Sequence, residues 1–352
     1  MPVACHPPLR SDKLLAVVQP HTNVLVLTHD NPDPDAIAAG WAIHTLVREK
    51  LGLPVRLVGG GEIVRAENRY MVTLLQPPLE LIQDIEPDER TALVLVDCGI
   101  EARNWSGRDN GARPVAVIDH HAHGRSRMRL GFRDVRPRVA ASATIAADYL
   151  RQQGIEPTVN LATAIVYGIR SETSGNETAH SRLDRSVLRW LSQVANPAFL
   201  AQIQSAPLSL EYFGDLALAL QNAFVYGDVV FCCLPRASSA EIVGEVADLL
   251  SRCEGMQRIL CAGAVRDDLL VSVRTRHQAD HASDLVRKTL HGLGHGGGHE
   301  HRAGGKIPGV VSGSKISEAQ QGDLRKRWLS ACGVQEDRGV RLIARRQIVR
   351  NL

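Results

Sequence analysis

The chain has 352 residues, 44% of them hydrophobic and 22% charged, which is typical of a globular protein with two domains. The formal net charge of +3 is small for this length and excludes a strong overall attraction to long duplex nucleic acid. Because the first residues lack the apolar core of a signal peptide and no run of about twenty apolar residues exists, we expect a cytoplasmic protein that does not contact a membrane.

The first half of the sequence alternates strand-like and helix-like segments, as in a parallel sheet with helices on its faces. Short apolar runs predict strands at residues 23–28, 55–58, 92–96 and 115–118. Amphipathic or apolar stretches predict helices at residues 35–49, 140–153, 159–169 and 181–194. The fold class is therefore α/β, with a larger parallel-sheet domain over residues 1–206.

The character of the sequence changes after Pro207. Residues 207–227 are predicted as a helical linker, and residues 228–333 as a smaller α/β domain. In that domain we predict strands at 228–234, 258–265 and 269–274, with helices at 240–252 and from residue 281. A segment rich in glycine and histidine follows, and residues 334–352 are predicted as an Arg-rich tail that forms a peripheral strand or arm.

Carboxylates and imidazoles follow several of the predicted strands. THDNPDPDA follows the first strand, Asp97 follows LVLV, and the tripeptide Asp119-His120-His121 directly follows VAVI. The carboxyl ends of parallel strands meet at one edge of a sheet, so these side chains should lie close together, although each alone could be an ordinary turn or cap residue. Together they predict a metal site.

Two divalent cations about 3.5–4 Å apart require a mixed set of ligands with one shared carboxylate. Asp97, alone at the end of a central strand, suits the shared position. Ligands that are oxygen and imidazole nitrogen, without thiolate, favour Mn²⁺ or Mg²⁺. The candidate ligands are His29, Asp33, Asp35, Asp97, His120 and Glu172.

The motifs resemble those of the DHH phosphoesterases, the superfamily of RecJ-type exonucleases, oligoribonucleases (nanoRNases) and manganese pyrophosphatases. The segments that carry the resemblance are HDNPDPDA, VLVDCG, VIDHH, ASATIAADYL and GIRSET. Further along, LLVSVRT and GHGGGHEHRAGG resemble the DHH-associated carboxy-terminal domain, so the resemblance covers roughly residues 24–309. It implies an active site in the cleft between the two domains.

The resemblance also implies a role for each matching residue. One Mn²⁺ would be held by His29, Asp33 and Asp97, and the other by Asp35, Asp97, His120 and Glu172. The implied catalytic residues are Asp119, His120 and His121. Asp119 would support the metal ligands without binding the metal, His120 would bind the metal, and His121 would contact the phosphate. Substrate phosphate or nucleoside would bind Arg274, Gly297, Gly298 and His299. The implied cofactor is two divalent ions, with Mn²⁺ favoured and Mg²⁺ or Co²⁺ as alternatives.

The sequence departs from the family pattern at two places. Glu172 stands where the family has Asp, and His295 interrupts the glycine run. The histidines between residues 277 and 301 are predicted to face solvent or phosphate, with a third metal as the alternative. These departures keep open a second reading, a nucleotide-binding regulatory module that has lost turnover.

The leading functional prediction is Mn²⁺-dependent hydrolysis of phosphodiester or phosphomonoester bonds. The expected partner is a small nucleotide or short oligonucleotide, since only 4% of the residues are aromatic and a long base-stacking track is not expected. Short oligonucleotides, linear dinucleotides and 3′-phosphoadenosine 5′-phosphate all fit. An inorganic pyrophosphatase is a third reading, disfavoured by the second domain, and a homodimer is left open.

Overall fold

The computed structural model describes residues 8–102, 104–107, 111–121, 128–173, 180–298, 300–310, 316–335 and 338–343. The chain divides into two units, Met1–Ala206 and Pro207–Leu352. Both units combine helices with a β-sheet, so the predicted α/β class, with a parallel sheet in the first unit, is confirmed. None of the helices in these ranges combines the length and the apolar character needed to cross a bilayer.

The first unit contains seven described helices and six strands. In chain order they are α1 (Arg10–Val18), β1 (Asn23–Leu27), α2 (Pro34–Leu51), β2 (Val55–Gly59), α3 (Ala66–Leu75), β3 (Leu79–Leu81), β4 (Thr91–Val96), β5 (Ala116–Asp119), β6 (Phe132–Val135), α4 (Ser142–Gln152), α5 (Val159–Glu172), α6 (Arg182–Leu191) and α7 (Pro197–Gln204).

The six strands form a parallel sheet in the order β3-β2-β1-β4-β5-β6. The order reverses between β1 and β4, which pair directly, with Leu27 opposite Leu95. Ligands of open α/β sheets bind beyond the carboxyl ends of the strands at such a reversal. The topology therefore places β1, β4 and β5 next to one another at the edge where the sequence predicts a metal site.

Helices cover one face of this sheet, whereas the sequence predicted helices on both. Side chains such as Val24 and Val26 of β1 point into a core that contains apolar residues of all seven described helices. Their neighbours Leu25 and Leu27 point to the other face. There they meet non-helical segments, through residues that include Ile85 and Trp105. The difference arises because the described residues between β4, β5 and β6 form no crossover helix.

Helix α2 is the central helix of the unit and carries two of the predicted metal ligands. Asp33 is its N-cap, and its Oδ1 accepts the amide of Ala36 at 3.0 Å. Helix α5 packs directly against the start of α2 at Gly168, where an added Cβ would lie 3.0 Å from the carbonyl oxygen of Pro34. This close approach brings the end of α5, and with it Glu172, towards the first turn of α2.

The second unit contains four described helices and seven strands. They are α8 (Leu210–Gln221), β7 (Ala223–Tyr226), β8 (Val229–Leu234), α9 (Ala240–Leu250), β9 (Arg258–Val265), β10 (Asp268–Thr275), α10 (Ala282–Leu290), β11 (His295–Gly298), β12 (Arg302–Ile307), α11 (Glu318–Ala331) and β13 (Val340–Arg341). The strands form one mixed sheet in the order β11-β12-β10-β9-β8-β7-β13, in which only β8 and β9 are parallel.

The second unit has a core on each face of its sheet. Helices α8 and α9 pack on one face, while α10 and α11 pack on the other. The residues predicted as a linker, 207–227, contain α8 and β7, and Ala219 and Ala223 from them are fully buried in the first of these cores. In the tail, β13 pairs with β7 at the edge of the sheet, and residues 344–352 lie outside the described residues.

The glycine-rich segment forms a β-hairpin, where the resemblance implied a loop. Strands β11 and β12 pair antiparallel, and α10 packs against them so closely that a larger residue at two of the glycines would force a neighbouring side chain to shift. A Cβ on Gly305 would lie 2.3 Å from the Leu290 side chain, and one on Gly296 would lie 3.0 Å from Val286. Helix packing therefore explains these two glycines without any ligand.

Candidate metal centre

The predicted ligands come from four segments of the first unit. His29 and Asp33 follow β1, Asp97 follows β4 directly, and His120 follows β5. Asp35 lies in the first turn of α2. Glu172 is the last residue of α5, which extends three residues beyond its predicted end at residue 169. We call His29, Asp33, Asp35, Asp97, His120 and Glu172 the candidate metal centre.

Asp97 lies at the middle of this group. Its backbone has φ = 56°, a left-handed conformation that non-glycine residues adopt at a cost, and its amide is held by the Ile118 carbonyl at 2.9 Å. One carboxylate oxygen, Oδ2, lies 3.6 Å from His29 Nε2. The other, Oδ1, lies 3.5 Å from His120 Nε2. The two oxygens therefore face two different imidazoles, as a carboxylate shared between two ions would.

The first side of the centre is formed by His29 and Asp33. The His29 ring is fixed by a 2.9 Å hydrogen bond from Nδ1 to the Asp30 carbonyl, which directs Nε2 towards the carboxylates. His29 Nε2 lies 4.0 Å from Asp33 Oδ1. One potential ligand atom from each of His29, Asp33 and Asp97 lies within 4.8 Å of the others, so the three side chains can hold one ion.

The second side is formed around His120. Its Nε2 is buried, lies 3.7 Å from Asp35 Oδ2 and 3.5 Å from Asp97 Oδ1, and makes no hydrogen bond. A buried imidazole nitrogen without a partner is rare, and one held between two carboxylates just beyond hydrogen-bond length is what a coordinated cation requires. The residues present therefore fit a divalent metal ion.

His121 lies on the same side of the centre. The resemblance implied that it contacts the phosphate, and in the structure it also contacts Asp119. Its backbone amide and its Nδ1 both reach Asp119 Oδ1 at 2.9 Å. Nδ1 also lies 3.7 Å from Asp97 Oδ1, and Asp97, His120 and His121 form a second triad whose ligand atoms lie within 4.8 Å of one another. Asp119 itself is fully buried, so it can orient His121 from behind the centre, as the resemblance implied.

Helix α4 begins at the centre and was given no role by the sequence. The amides of Ser142 and Ala143 donate to Asp35 Oδ2 and Oδ1 at 2.8 and 2.7 Å. The Ser142 hydroxyl donates to Asp97 Oδ1 at 2.8 Å. The signal in the sequence was a serine at the start of a helix in ASATIAADYL, a residue type that sequence reasoning assigns to capping its own helix.

The carboxylates of the centre repel one another in the protein without metal. Burial, followed by the charges of Asp97, Glu172 and Asp33, raises the pKa of Asp35 well above its ordinary value. Burial of the carboxyl, followed by the charges of Asp33 and Asp97, raises the pKa of Glu172 to about 8, although the residue as a whole stays exposed at the rim. A bound divalent cation would offset this repulsion.

The histidines compensate part of this negative charge. Burial lowers the pKa of His29, but its contact with Asp97 and the charge of Asp33 outweigh burial and raise the pKa to about 10. His121 responds in the same way to Asp119 and Asp97, and its pKa rises to about 9. In the metal-free protein at neutral pH, protons on these imidazoles therefore hold the carboxylates together.

The metal-free protein is expected to lose stability as the pH rises from about 6.5 to about 10. The imidazoliums of His29 and His121 have folded-state pKa values above the ordinary 6.5, so their stabilisation is complete below that pH and is lost as the pH passes about 9 and about 10. Glu172 acts in the same direction, because its folded pKa of about 8 exceeds the ordinary 4.5 and its ionisation is disfavoured in the folded state.

Melting temperatures of chelator-treated protein between pH 6 and pH 9 check this expectation. The same scan with saturating Mn²⁺ is the control, and there the melting temperature should fall less or rise, because metal binding displaces the same protons. A melting temperature of the metal-free protein that increases from pH 7 to pH 9 would contradict these assignments.

The substrate residues predicted in the second unit lie among internal contacts. Arg274 Nε and Nη2 donate to the two carboxylate oxygens of Asp248 at 2.6 and 3.2 Å, and Nη1 donates to the Ser272 hydroxyl at 2.8 Å. Arg302, opposite Arg274 on β12, is the more exposed of the two arginines. Gly297 has open space around its Cα, Gly298 has φ = 153°, and His299 lies outside the described residues. Their part in substrate binding stays a prediction.

Part of this chain matches a known protein family, and longer stretches are similar to known proteins. Residues 23–169 match the N-terminal domain of the DHH family, a range that includes every predicted ligand except Glu172. The chain is 31% identical over 326 residues to an uncharacterized protein of Methanocaldococcus jannaschii, covering 89% of this chain and 65% of the relative. It is 29% identical over 154 residues to a probable manganese-dependent inorganic pyrophosphatase of Exiguobacterium sp., covering 43% of this chain and 48% of the relative. The chain therefore spans less than two thirds of either relative.

Solved structures resemble this chain across both units. An exopolyphosphatase-related protein from Bacteroides fragilis superposes with a TM-score of 0.69 at 14% identity, covering 95% of this chain and 100% of the other. RecJ from Thermus thermophilus, in complex with Mn²⁺, superposes with a TM-score of 0.56 at 15% identity, covering 95% of this chain and 56% of the other. At these identities the likeness concerns the fold.

Proposed function

We propose that this chain, whose residues 23–169 match the N-terminal domain of the DHH family, is a Mn²⁺-dependent phosphoesterase. Its proposed substrates are short oligonucleotides, linear dinucleotides or 3′-phosphoadenosine 5′-phosphate, in which it hydrolyses a phosphodiester or phosphomonoester bond. The proposed cofactor is a pair of divalent ions at the candidate metal centre.

The observation that carries the proposal is that the two carboxylate oxygens of Asp97 face two different imidazoles. Oδ2 lies 3.6 Å from His29 Nε2, and Oδ1 lies 3.5 Å from His120 Nε2. A structural ion pair would place an oxygen and a nitrogen at hydrogen-bond length, near 2.9 Å. Longer distances on both sides of one buried carboxylate support two cation positions that share Asp97. Bound there, divalent ions would supply the Lewis acidity that activates water and neutralises charge on a phosphate.

The protein groups around the centre orient the ligands and hold protons. The Asp30 carbonyl fixes the His29 ring, and the amides of α4 fix Asp35. Asp119 holds His121 through Nδ1. In the metal-free protein, the contact with Asp119 and the charge of Asp97 outweigh burial and raise the pKa of His121 to about 9. Where His121 keeps this proton, it would donate a hydrogen bond from Nε2 to a phosphate oxygen.

A hydrolysis screen with chelator-treated protein, with and without added Mn²⁺, tests the proposed function. The substrates are 3′-phosphoadenosine 5′-phosphate, linear dinucleotides, RNAs of two to five nucleotides and inorganic pyrophosphate. We expect Mn²⁺-dependent release of nucleoside monophosphate or phosphate from at least one nucleotide class, and none from the Asp97→Asn variant. Turnover that persists without divalent metal, or no hydrolysis of any substrate, would refute the proposal.

Inorganic pyrophosphatase activity is the second candidate that an observation favours. The probable manganese-dependent pyrophosphatase of Exiguobacterium sp. matches this chain at 29% identity over 154 residues. The same screen separates the candidates, because a pyrophosphatase would hydrolyse pyrophosphate and leave the nucleotides intact.

Glu172 is expected to affect Mn²⁺ requirement more than maximal rate. Its carboxyl senses the charges of Asp33 and Asp97, but Glu172 belongs to neither of the two ligand triads. Fixing the extra rotatable bond of Glu costs up to roughly 1 kcal/mol. Glu172→Asp should therefore be half-activated at a Mn²⁺ concentration lower by up to about fivefold.

Activity titrated against free Mn²⁺ measures this effect. Glu172→Ala should need more Mn²⁺ than the parent, and Ser171→Ala, one residue away, is the matched control. If Glu172→Asp and Glu172→Ala both titrate like the parent, Glu172 is not a ligand.

A further inference from the structure

Ser142 contacts two carboxylates of the candidate metal centre with two different groups. Its backbone amide donates to Asp35 Oδ2 at 2.8 Å, and its side-chain hydroxyl donates to Asp97 Oδ1 at 2.8 Å. Ser142 is fully buried, as is Asp35, and Asp97 is 3% exposed.

Capping of α4 does not explain the Ser142 hydroxyl. The N-cap of α4 is Ala141, which has no side chain that could cap, and the first amides of the helix are satisfied by Asp35 from α2. A serine that capped its own helix would direct its hydroxyl oxygen towards amides of the next turn. Here the hydroxyl instead donates its one proton to a carboxylate 45 residues away in sequence.

The contact fixes which way the Asp97 carboxylate faces. Oδ1, which accepts from Ser142, is the oxygen that faces His120 at 3.5 Å and His121 at 3.7 Å. That leaves Oδ2 to face His29 at 3.6 Å. Rotation of the carboxylate about its terminal bond would exchange or misdirect the two oxygens, and that torsion is intrinsically broad. One hydrogen bond from a helix terminus removes this freedom.

We propose that Ser142 is a positioning residue that holds the Asp97 carboxylate in the orientation needed to serve two metal ions at once. This inference rests on the proposed function, because it assumes that Asp97 is shared between ions. Ser142 itself touches neither ion. It acts through Asp97, and its amide keeps Asp35 in place on the same side of the centre.

Calorimetric titration of Mn²⁺ into the chelator-treated full chain tests the proposal without using activity. Partners behind metal ligands typically change metal affinity by about 10–100-fold when they are removed. Ser142→Ala should weaken Mn²⁺ binding by that factor at both ions, because Asp97 is common to them. The backbone amide that binds Asp35 is retained in this variant, and alanine favours the helix. Its metal-free melting temperature should therefore stay within about 4 °C of the parent.

Two further variants separate positioning from a general structural effect. Ser171→Ala removes a hydroxyl that bonds the Gly168 carbonyl at 2.7 Å beside the centre, and it should bind Mn²⁺ like the parent. Ser142→Thr, which keeps the hydroxyl, should retain most of the affinity and serves as the readout if Ser142→Ala does not fold.

The outcomes test the positioning role of Ser142 separately from the proposed phosphoesterase activity. Equal Mn²⁺ affinity in the parent and Ser142→Ala would overturn the positioning role. A fall in melting temperature with unchanged Mn²⁺ affinity would overturn it as well. If the parent binds Mn²⁺ and Ser142→Ala binds it more weakly, but no phosphoester is hydrolysed, the proposed activity fails and the positioning role stands.

Discussion

Asp97→Ala is expected to abolish Mn²⁺-dependent hydrolysis, with a loss on the order of 10³-fold or more, because it removes the ligand that both triads share. Measurement of kcat/KM together with bound Mn²⁺ by elemental analysis checks this result. Both ions should be lost together. Activity within a few-fold of the parent at saturating Mn²⁺ would refute the shared position of Asp97.

The same substitution should also destabilise the metal-free protein. Relief of carboxylate repulsion alone would predict a gain in stability. Burial raises the pKa of Asp97, but His29, His120 and His121 outweigh it and hold the pKa below its ordinary value, so the folded protein favours this charge. Alanine is also less tolerant than aspartate of φ = 56°, which costs about 1 kcal/mol.

Asp97→Asn separates the two effects. Asparagine tolerates the left-handed backbone and keeps the shape of the side chain, so Asp97→Asn should lose activity with a smaller loss of stability than Asp97→Ala. The exposed Asp84, on a loop of the same unit, offers Asp84→Ala as a control that should behave like the parent.

Asp35→Ala is expected to lower stability by about 2–4 kcal/mol in addition to eliminating Mn²⁺-dependent activity. The fully buried Asp35 carboxylate accepts the amides of Ser142 and Ala143, and alanine would leave both donors without an acceptor at about 1–3 kcal/mol each. The raised pKa of Asp35, caused first by burial and then by the charge of Asp97, reduces the net loss.

Chemical denaturation of the metal-free protein measures the effect of Asp35→Ala on the free energy of unfolding. Asp35→Asn is the matched variant, because its amide oxygen can still accept one of the two hydrogen bonds. It should lose Mn²⁺ binding but retain more stability than Asp35→Ala. Equal stability of Asp35→Ala and the parent would show that the start of α4 does not depend on Asp35.

The central strands and the convergence of ligands could be predicted from the sequence for one physical reason. Strands β1, β2, β4 and β5 are buried on both faces, and such strands appear as continuous apolar runs. Polar residues directly after them then lie at a common edge. His29, Asp97 and His120 could be identified by this argument before the resemblance of their motifs to a family is considered.

Short or edge elements could not be predicted in the same way. β3 has three residues and β6 has the polar pattern FRDV, so neither produces an apolar run. The packing around the β11–β12 hairpin gave no local signal either, since Gly305 lies against the Leu290 side chain of α10. Arg274, whose predicted substrate contact stays a prediction, pairs with Asp248 on α9, 26 residues earlier in the chain. These contacts depend on tertiary packing, which cannot be predicted from a local sequence pattern.

The two ligand triads differ in the length of chain that must close to form them. Asp97, His120 and His121 belong to consecutive strands β4 and β5, whereas His29 and Asp33 reach Asp97 only when β1 pairs with β4 across the reversal of strand order. Closing a longer loop costs more entropy, roughly 0.6 kcal/mol for each doubling of its length. The triad of Asp97, His120 and His121 can therefore close once β4 and β5 have paired, although Asp35 joins it only from α2. The triad of His29, Asp33 and Asp97 closes only when β1 has paired with β4 across the reversal.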